Sequence, residues 1–125
     1  MGGADRACTS IRRGDLFWIA PEASEVSRVP HPHVVVQDDV FNQSRIATVV
    51  VCALSSNVGR ASEPGCVLLE AGEGGLPRQS VVIASQIASV DWSRLGERIG
   101  ALSAERVDQT VAALRFLQAA HFRGR

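Results

Sequence analysis

Two of the chain's three histidines stand two residues apart, in "RVPHPHVVVQDD" at 28–39. His31 and His33 flank Pro32 and lead straight into three valines. An imidazole changes charge near neutral pH, so it can take or give a proton in a reaction. If a strand begins at His31, alternate residues share a face and the two rings lie side by side. His-x-His is also a metal-pair spacing, but no third ligand follows nearby, so no metal and no other cofactor is expected. The plainer alternatives are a polar His31 held against the prolines and a structural or solvated His33. The third histidine, His121, falls at the tail of a predicted helix, where it suits the helix dipole.

Other groups invite chemistry and lose most of it on inspection. Asp38 and Asp39 suggest paired carboxylates but better serve to end a strand and open the turn to Phe41 and Asn42. "GEGG" at 72–75 lacks the Lys and the following helix of a phosphate loop, and it reads as a flexible hairpin. Ser55 and Ser56 close an apolar run, where serine commonly opens a turn. Trp18 and Trp92 can stack on bases, yet one tryptophan on each of two strands suits core or dimer packing better. Cys8, Cys52 and Cys66 form no C-x-x-C. Cys52, set among valines, reads as a small buried hydrophobe.

The elements that must position these groups are short. Residues 1–10 are small and polar, a flexible tail ahead of one domain over 11–122. "GDLFWIA" reads as a strand and "PEASEVSRVPHP" as a long loop of the kind that carries function. "HVVVQ" and "ATVVVCAL" are too apolar for a sheet edge and belong at its centre. After the loop "SSNVGRASEPG" come the strand "CVLLE", the Gly-rich loop "AGEGGLPRQ" and the strands "SVVIA" and "QIASVDW". From Ser103, a plausible N-cap, Val107, Val111, Leu114 and Leu117 recur at helical spacing. Such a helix has one apolar face and must dock on the sheet or on a partner. The class is α+β, mainly β, on a compact barrel or curled sheet.

Thirteen basic residues, all Arg, balance thirteen acidic ones in 125 residues. That excludes a protein gripping nucleic acid through bulk positive charge; any such site must be local. The longest apolar run is far too short for a membrane helix. The N-terminal residues lack the apolar core of an export signal, so the expected location is the cytoplasm, with no membrane partner.

The order of motifs resembles the MazF/PemK family of toxin endoribonucleases. "RRGDLFWI" at 12–19 is similar to that family's opening strand, and Ser24-Glu25 stand where its first loop carries Ser-Glu. "HPHVVVQDDVFN" resembles its Arg-Pro stretch, and "TVVVCALSSN" its central strand. "QSVVIASQIASVDWSRLGERIGALS" is similar to its late strands. The resemblance implies an SH3-like barrel of the CcdB/PemK type with a C-terminal helix, usually a homodimer. It implies metal-independent, sequence-specific cleavage of single-stranded RNA (mRNA) by the toxin of a type II toxin–antitoxin pair. A small cognate antitoxin protein is then the inhibitor. Two positions depart from the pattern: the family's catalytic Arg is His31 here, and its catalytic Thr is Ser55.

Cleavage without a metal needs a base for the 2′-hydroxyl, an acid for the leaving 5′-oxygen and donors for the added negative charge. His31 can take the acid or the base role, and Ser55 can donate to a phosphoryl oxygen. Glu25, Arg28, Asn57 and Arg60 are the RNA-binding candidates in the flanking loops, and the resemblance adds Gln86. Arg28 or Arg60 would supply the charge lost with the family's Arg. Two alternatives follow from that loss: a catalytically silent barrel that binds an antitoxin or RNA, and a CcdB-like gyrase inhibitor.

Overall fold

The computed structural model describes residues 10–21 and 29–122, with the side chains of His121 and Phe122 excepted. Glu25, Arg28 and most of the proposed tail lie outside the described residues. The strands are β1 (Asp15–Ile19), β2 (His31–Val35), β3 (Thr48–Ser55), β4 (Cys66–Leu69), β5 (Ser80–Asp91) and β6 (Leu95–Ala101). A short helix α1 (Asp39–Asn42) follows β2, and α2 (Ala104–Phe122) ends the chain. All the pairings are antiparallel, in the order β4-β5-β3-β2-β1-β6. The two valine-rich strands are central, as their apolar character requires.

Both faces of these central strands are buried, which explains their unbroken apolar runs. Leu16, Val34, Val36, Cys52 and Leu54 point to a first core, on which Val107, Ala113 and Leu114 of α2 pack. Phe17, Ile19, Val35, Val49 and Val51 point the other way into a second core, joined by Val90, Trp92 and Leu95. The helix therefore docks on its own sheet. Ser103 is its N-cap, accepting from the Arg106 N–H at 3.3 Å, and Glu105 lies in the first turn. No helix among the described residues is long and apolar enough to cross a membrane.

Three elements differ from the sequence expectation. The Gly-rich segment is a pinned turn rather than a flexible hairpin. Gly74 (φ 59°) and Gly75 (φ 85°) adopt left-handed conformations open to glycine. An added Cβ on either would run into β6 at Ala101 or Ile99. This contact brings the β4–β5 connection onto the far edge strand and curls the sheet. "SVVIA" and "QIASVDW" form one strand, β5, interrupted by a register shift opposite Cys52–Leu54. β6 carries Glu97 and Arg98 and two glycines, so it shows no strand pattern; it is an exposed edge, where charge is ordinary. Arg98 reaches back to the buried Asp15 at 3.1 Å.

Glu73 fixes the pinned turn to α2. Its carboxylate accepts two bonds from the Arg106 guanidinium, each 2.9 Å, and one from the Glu70 N–H at 2.7 Å. The Arg106 bonds, then the Glu70 N–H, hold its pKa below the ordinary 4.5. A depressed carboxyl stabilises the fold above its unfolded pKa and loses that contribution as pH falls through the folded value. Glu73→Gln should therefore lower stability by about 1 kcal/mol at pH 7. The gap from wild type should shrink in urea melts as pH falls below the ordinary 4.5 and through the lowered folded value. An equal gap at pH 7 and pH 3 would remove the ion pair from the account.

Candidate active site

The site begins with a missing backbone donor. In β2 the amide edges alternate between neighbours: the Val35 carbonyl accepts from Gly14, on the β1 side, and the Val36 N–H donates to Val50 of β3. Even-numbered residues thus face β3, and Pro32, which has no N–H, is one of them. The recorded pairing of β2 with β3 stops at His33–Ala53. Beyond it, β2 continues only with β1, through Ile19–His31. β3 continues only with β5, through Ser55–Val81. Extending the register would set His31 opposite Ser55, so the two residues face one another where the strands part.

A second irregularity lies on the other side of β3. Between Cys52–Ile87 and Leu54–Val82, β3 advances two residues while β5 advances five. Such bulges bend a strand and redirect side chains beside functional sites. The outer half of β5 leaves the β4 ladder here and brings Gln86, Ala88 and Val90 over the same space.

The result is a cleft of about 520 Å³. Ile19, Val51 and Val90 continue the second core as its floor, and His31, His33, Ser55, Ser56, Gln86, Arg60 and Arg94 supply its polar lining. The strand pattern shows the origin of this arrangement. Along one face of β2, Val35 gives way to His33 and His31; along the matching face of β3, Val49 and Val51 give way to Ala53 and Ser55. A smaller cleft of about 250 Å³ shares His31, Ser55 and Ser56 and adds Trp18, Pro30, Pro32 and Arg78. Trp18 lines this space rather than a core, whereas Trp92 packs on the second core as expected.

The sequence candidates separate. His31, Ser55, Arg60 and Gln86 come together. The Ser55 hydroxyl accepts from the Asn57 N–H at 3.1 Å, which leaves its own proton to donate elsewhere. Asn57 lines neither cleft: its side chain accepts from the Gly59 N–H at 3.2 Å and caps the turn that carries Arg60. That bond sets the position of a cation. Arg60 is tied to Glu63 at 3.2 Å, and that bond raises its already high pKa. Its charge is therefore partly neutralised by its neighbour. Asp38 and Asp39 are structural: Asp38 caps α1, and Asp39 accepts from the Arg13 N–H at 2.7 Å and from Asn42 at 2.9 Å. Cys52 beside the bulge is no nucleophile, because burial pushes its thiol up to about 12.

Sequence reading missed two cations. Arg94, from the turn before β6, lines the large cleft and donates to the Ala20 carbonyl at 2.6 Å. Arg78 lines the small cleft, and its guanidinium makes no ion pair or hydrogen bond among the described residues. Arg78 comes from a loop outside the motifs, and Arg94 lies within the late-strand stretch, where nothing local marks it as a site residue. Among the described residues, no three His, Cys, Asp or Glu side chains gather as a metal-holding group.

Residues 12–117 match the family model described as PemK-like, MazF-like toxin of type II toxin–antitoxin system. The chain belongs to this family. Endoribonuclease MazF6 of Mycobacterium tuberculosis (strain ATCC 25618 / H37Rv) is 33% identical over 107 residues, covering 84% of this chain and 94% of its own. Endoribonuclease EndoA of Bacillus subtilis (strain 168) is 29% identical over 106 residues, covering 83% and 90%. A mycobacterial endoribonuclease solved in complex with its cognate antitoxin shares the fold at a TM-score of 0.71. It has 19% identity and covers 87% of this chain and 95% of that one. The barrel and terminal helix expected from the resemblance are thus those of known MazF structures.

The parting of β2 and β3 gives a direct test. Pro32→Ala restores an N–H aimed at β3, and the ladder should extend by one rung. The new amide at position 32 should be protected from hydrogen exchange, and RNA cleavage should fall as His31 and Ser55 are drawn together. An unprotected amide with full activity would show that Pro32 does not hold the site open.

Proposed function

We propose that residues 11–122 form the toxin of a type II toxin–antitoxin pair, a metal-independent endoribonuclease that cuts single-stranded mRNA at a specific short sequence. It acts in the cytoplasm as a homodimer and is silenced by a cognate antitoxin protein. The observation that carries the reading is His31 facing Ser55 across the opening between β2 and β3, with Gln86 and two arginines on the same cleft. The named activities of the 33% and 29% identical relatives support it. The fold neighbour with a bound antitoxin supports the partner.

The chemistry follows from the side chains. A scissile phosphate seated between the strand ends meets the Ser55 hydroxyl, which donates to a non-bridging oxygen as negative charge grows. His31 moves a proton at the bond being broken. Arg94 and Arg60 on one side and Arg78 on the other give the local positive charge that a neutral chain lacks overall. Gln86, brought in by the bulge, offers both a donor and an acceptor to a base edge. Glu25 and Arg28 remain binding candidates on the loop between β1 and β2. Pairing of two copies would cover the outer face of β5 and α2, where Ile87 and Phe116 are 46% and 51% exposed.

Purified protein should make discrete cuts in a long mixed-sequence RNA in the presence of EDTA. His31→Ala and Ser55→Ala should each lower kcat/KM by roughly 10²–10³-fold, while Ser55→Thr, which keeps the hydroxyl, should retain most activity. Intact RNA with folded wild-type protein would leave the silent barrel. Intact RNA together with trapped DNA gyrase would leave the gyrase inhibitor.

A further inference from the structure

Cutting RNA at its own 2′-hydroxyl needs a base for the 2′-proton and an acid for the departing 5′-oxygen. One imidazole serves only one of these in a single step. We propose that His33 is the base and His31 the acid, so that two histidines of one strand carry the proton transfers. The inference rests on the endoribonuclease reading and deepens it. It replaces the expectation of a structural or solvated His33.

Placement comes first. His31 and His33 lie on the same face of β2, and both line the large cleft. Their Cα atoms are roughly 6–7 Å apart along the strand. Two groups so spaced can each reach one of the two oxygens on opposite sides of a phosphorus. His33 is half-buried toward the floor and His31 is exposed at the mouth. The position opposite His33 is Ala53, and Ala88 also lines the cleft. Among the described residues, these small side chains crowd the half-buried ring little.

The tautomer comes second. The Nδ1 of His33 lies 2.9 Å from the carbonyl oxygen of His31. A carbonyl only accepts, so Nδ1 carries the proton. Neutral His33 then has its lone pair on Nε2, the form a general base requires, and the same bond fixes the ring's orientation. Among the described residues, the charged groups at the cleft are Arg60, with its partner Glu63, and Arg94.

The step balances within the site. His33 Nε2 takes the 2′-proton as the 2′-oxygen bonds to phosphorus. The bond from phosphorus to the 5′-oxygen breaks, and that oxygen takes a proton from the His31 imidazolium. The products are a 2′,3′-cyclic phosphate and a 5′-hydroxyl, with His33 left protonated and His31 neutral.

His33→Asn tests this, because the Asn amide nitrogen stands near the place of Nδ1 and can still donate to the His31 carbonyl. The expected result is a ~10²–10⁴-fold loss in kcat/KM, with unchanged affinity for a 2′-O-methyl RNA. The acidic limb of the pH–rate profile should disappear. A substrate with sulfur in place of the scissile 5′-oxygen needs no acid. It should rescue His31→Ala and fail to rescue His33→Asn. Near-wild-type cleavage by His33→Asn with an unchanged profile would overturn the role while leaving the endoribonuclease reading intact. Rescue of His33→Asn by the sulfur substrate would also overturn it, by making His33 the acid. Intact RNA with wild-type protein would end both.

Discussion

A proline in a central strand, with its missing N–H turned toward its neighbour, shapes everything around the site. Had position 32 carried a donor, β2 and β3 would have stayed paired to their ends, and His31 and Ser55 would have met across a closed ladder. Pro32 occupies the next position, and the ladder ends at His33–Ala53. On the other side of β3, the shift in β5 breaks the second boundary. The end of β3 therefore stands between two openings, and the side chains proposed to react occupy the space the sheet gave up.

The rest of the molecule makes that opening affordable. β2 and β3 are buried on both faces, one under α2 and the other in the second core. Rigid apolar packing up to Val35 and Val51 fixes the backbone from which the polar residues project. The turn at 58–62, capped by Asn57, and the pinned glycine turn set Arg60 and the Pro77–Arg78 segment around it. A few arginines from separate loops gather positive charge there although the chain has zero net charge.

Much of this was legible in the sequence. The valine runs announced two central strands, and Ser103 with its apolar spacing announced the helix. The histidines and Ser55 were marked by their position at strand ends. The rest depended on tertiary placement. β6 had no strand pattern of its own and showed only through the family resemblance, because an edge strand tolerates Glu97, Arg98 and two glycines. The two halves of β5 were seen, but their union through a register shift was not, since a bulge has no sequence period. The capping role of Asn57 was not legible, because a turn cap and a binding side chain are chemically the same. Arg78 and Arg94 enter through folding alone.

The central claim is that RNA enters where β2 and β3 part. Backbone NMR shifts should be followed as a 2′-O-methyl form of a cleaved RNA is added to wild-type protein. The account predicts movement at His31–Val35, at Ala53–Arg60 and at Gln86–Val90, with α2 largely still. Shifts concentrated along α2 and the outer face of β5, with the strand ends unmoved, would contradict it.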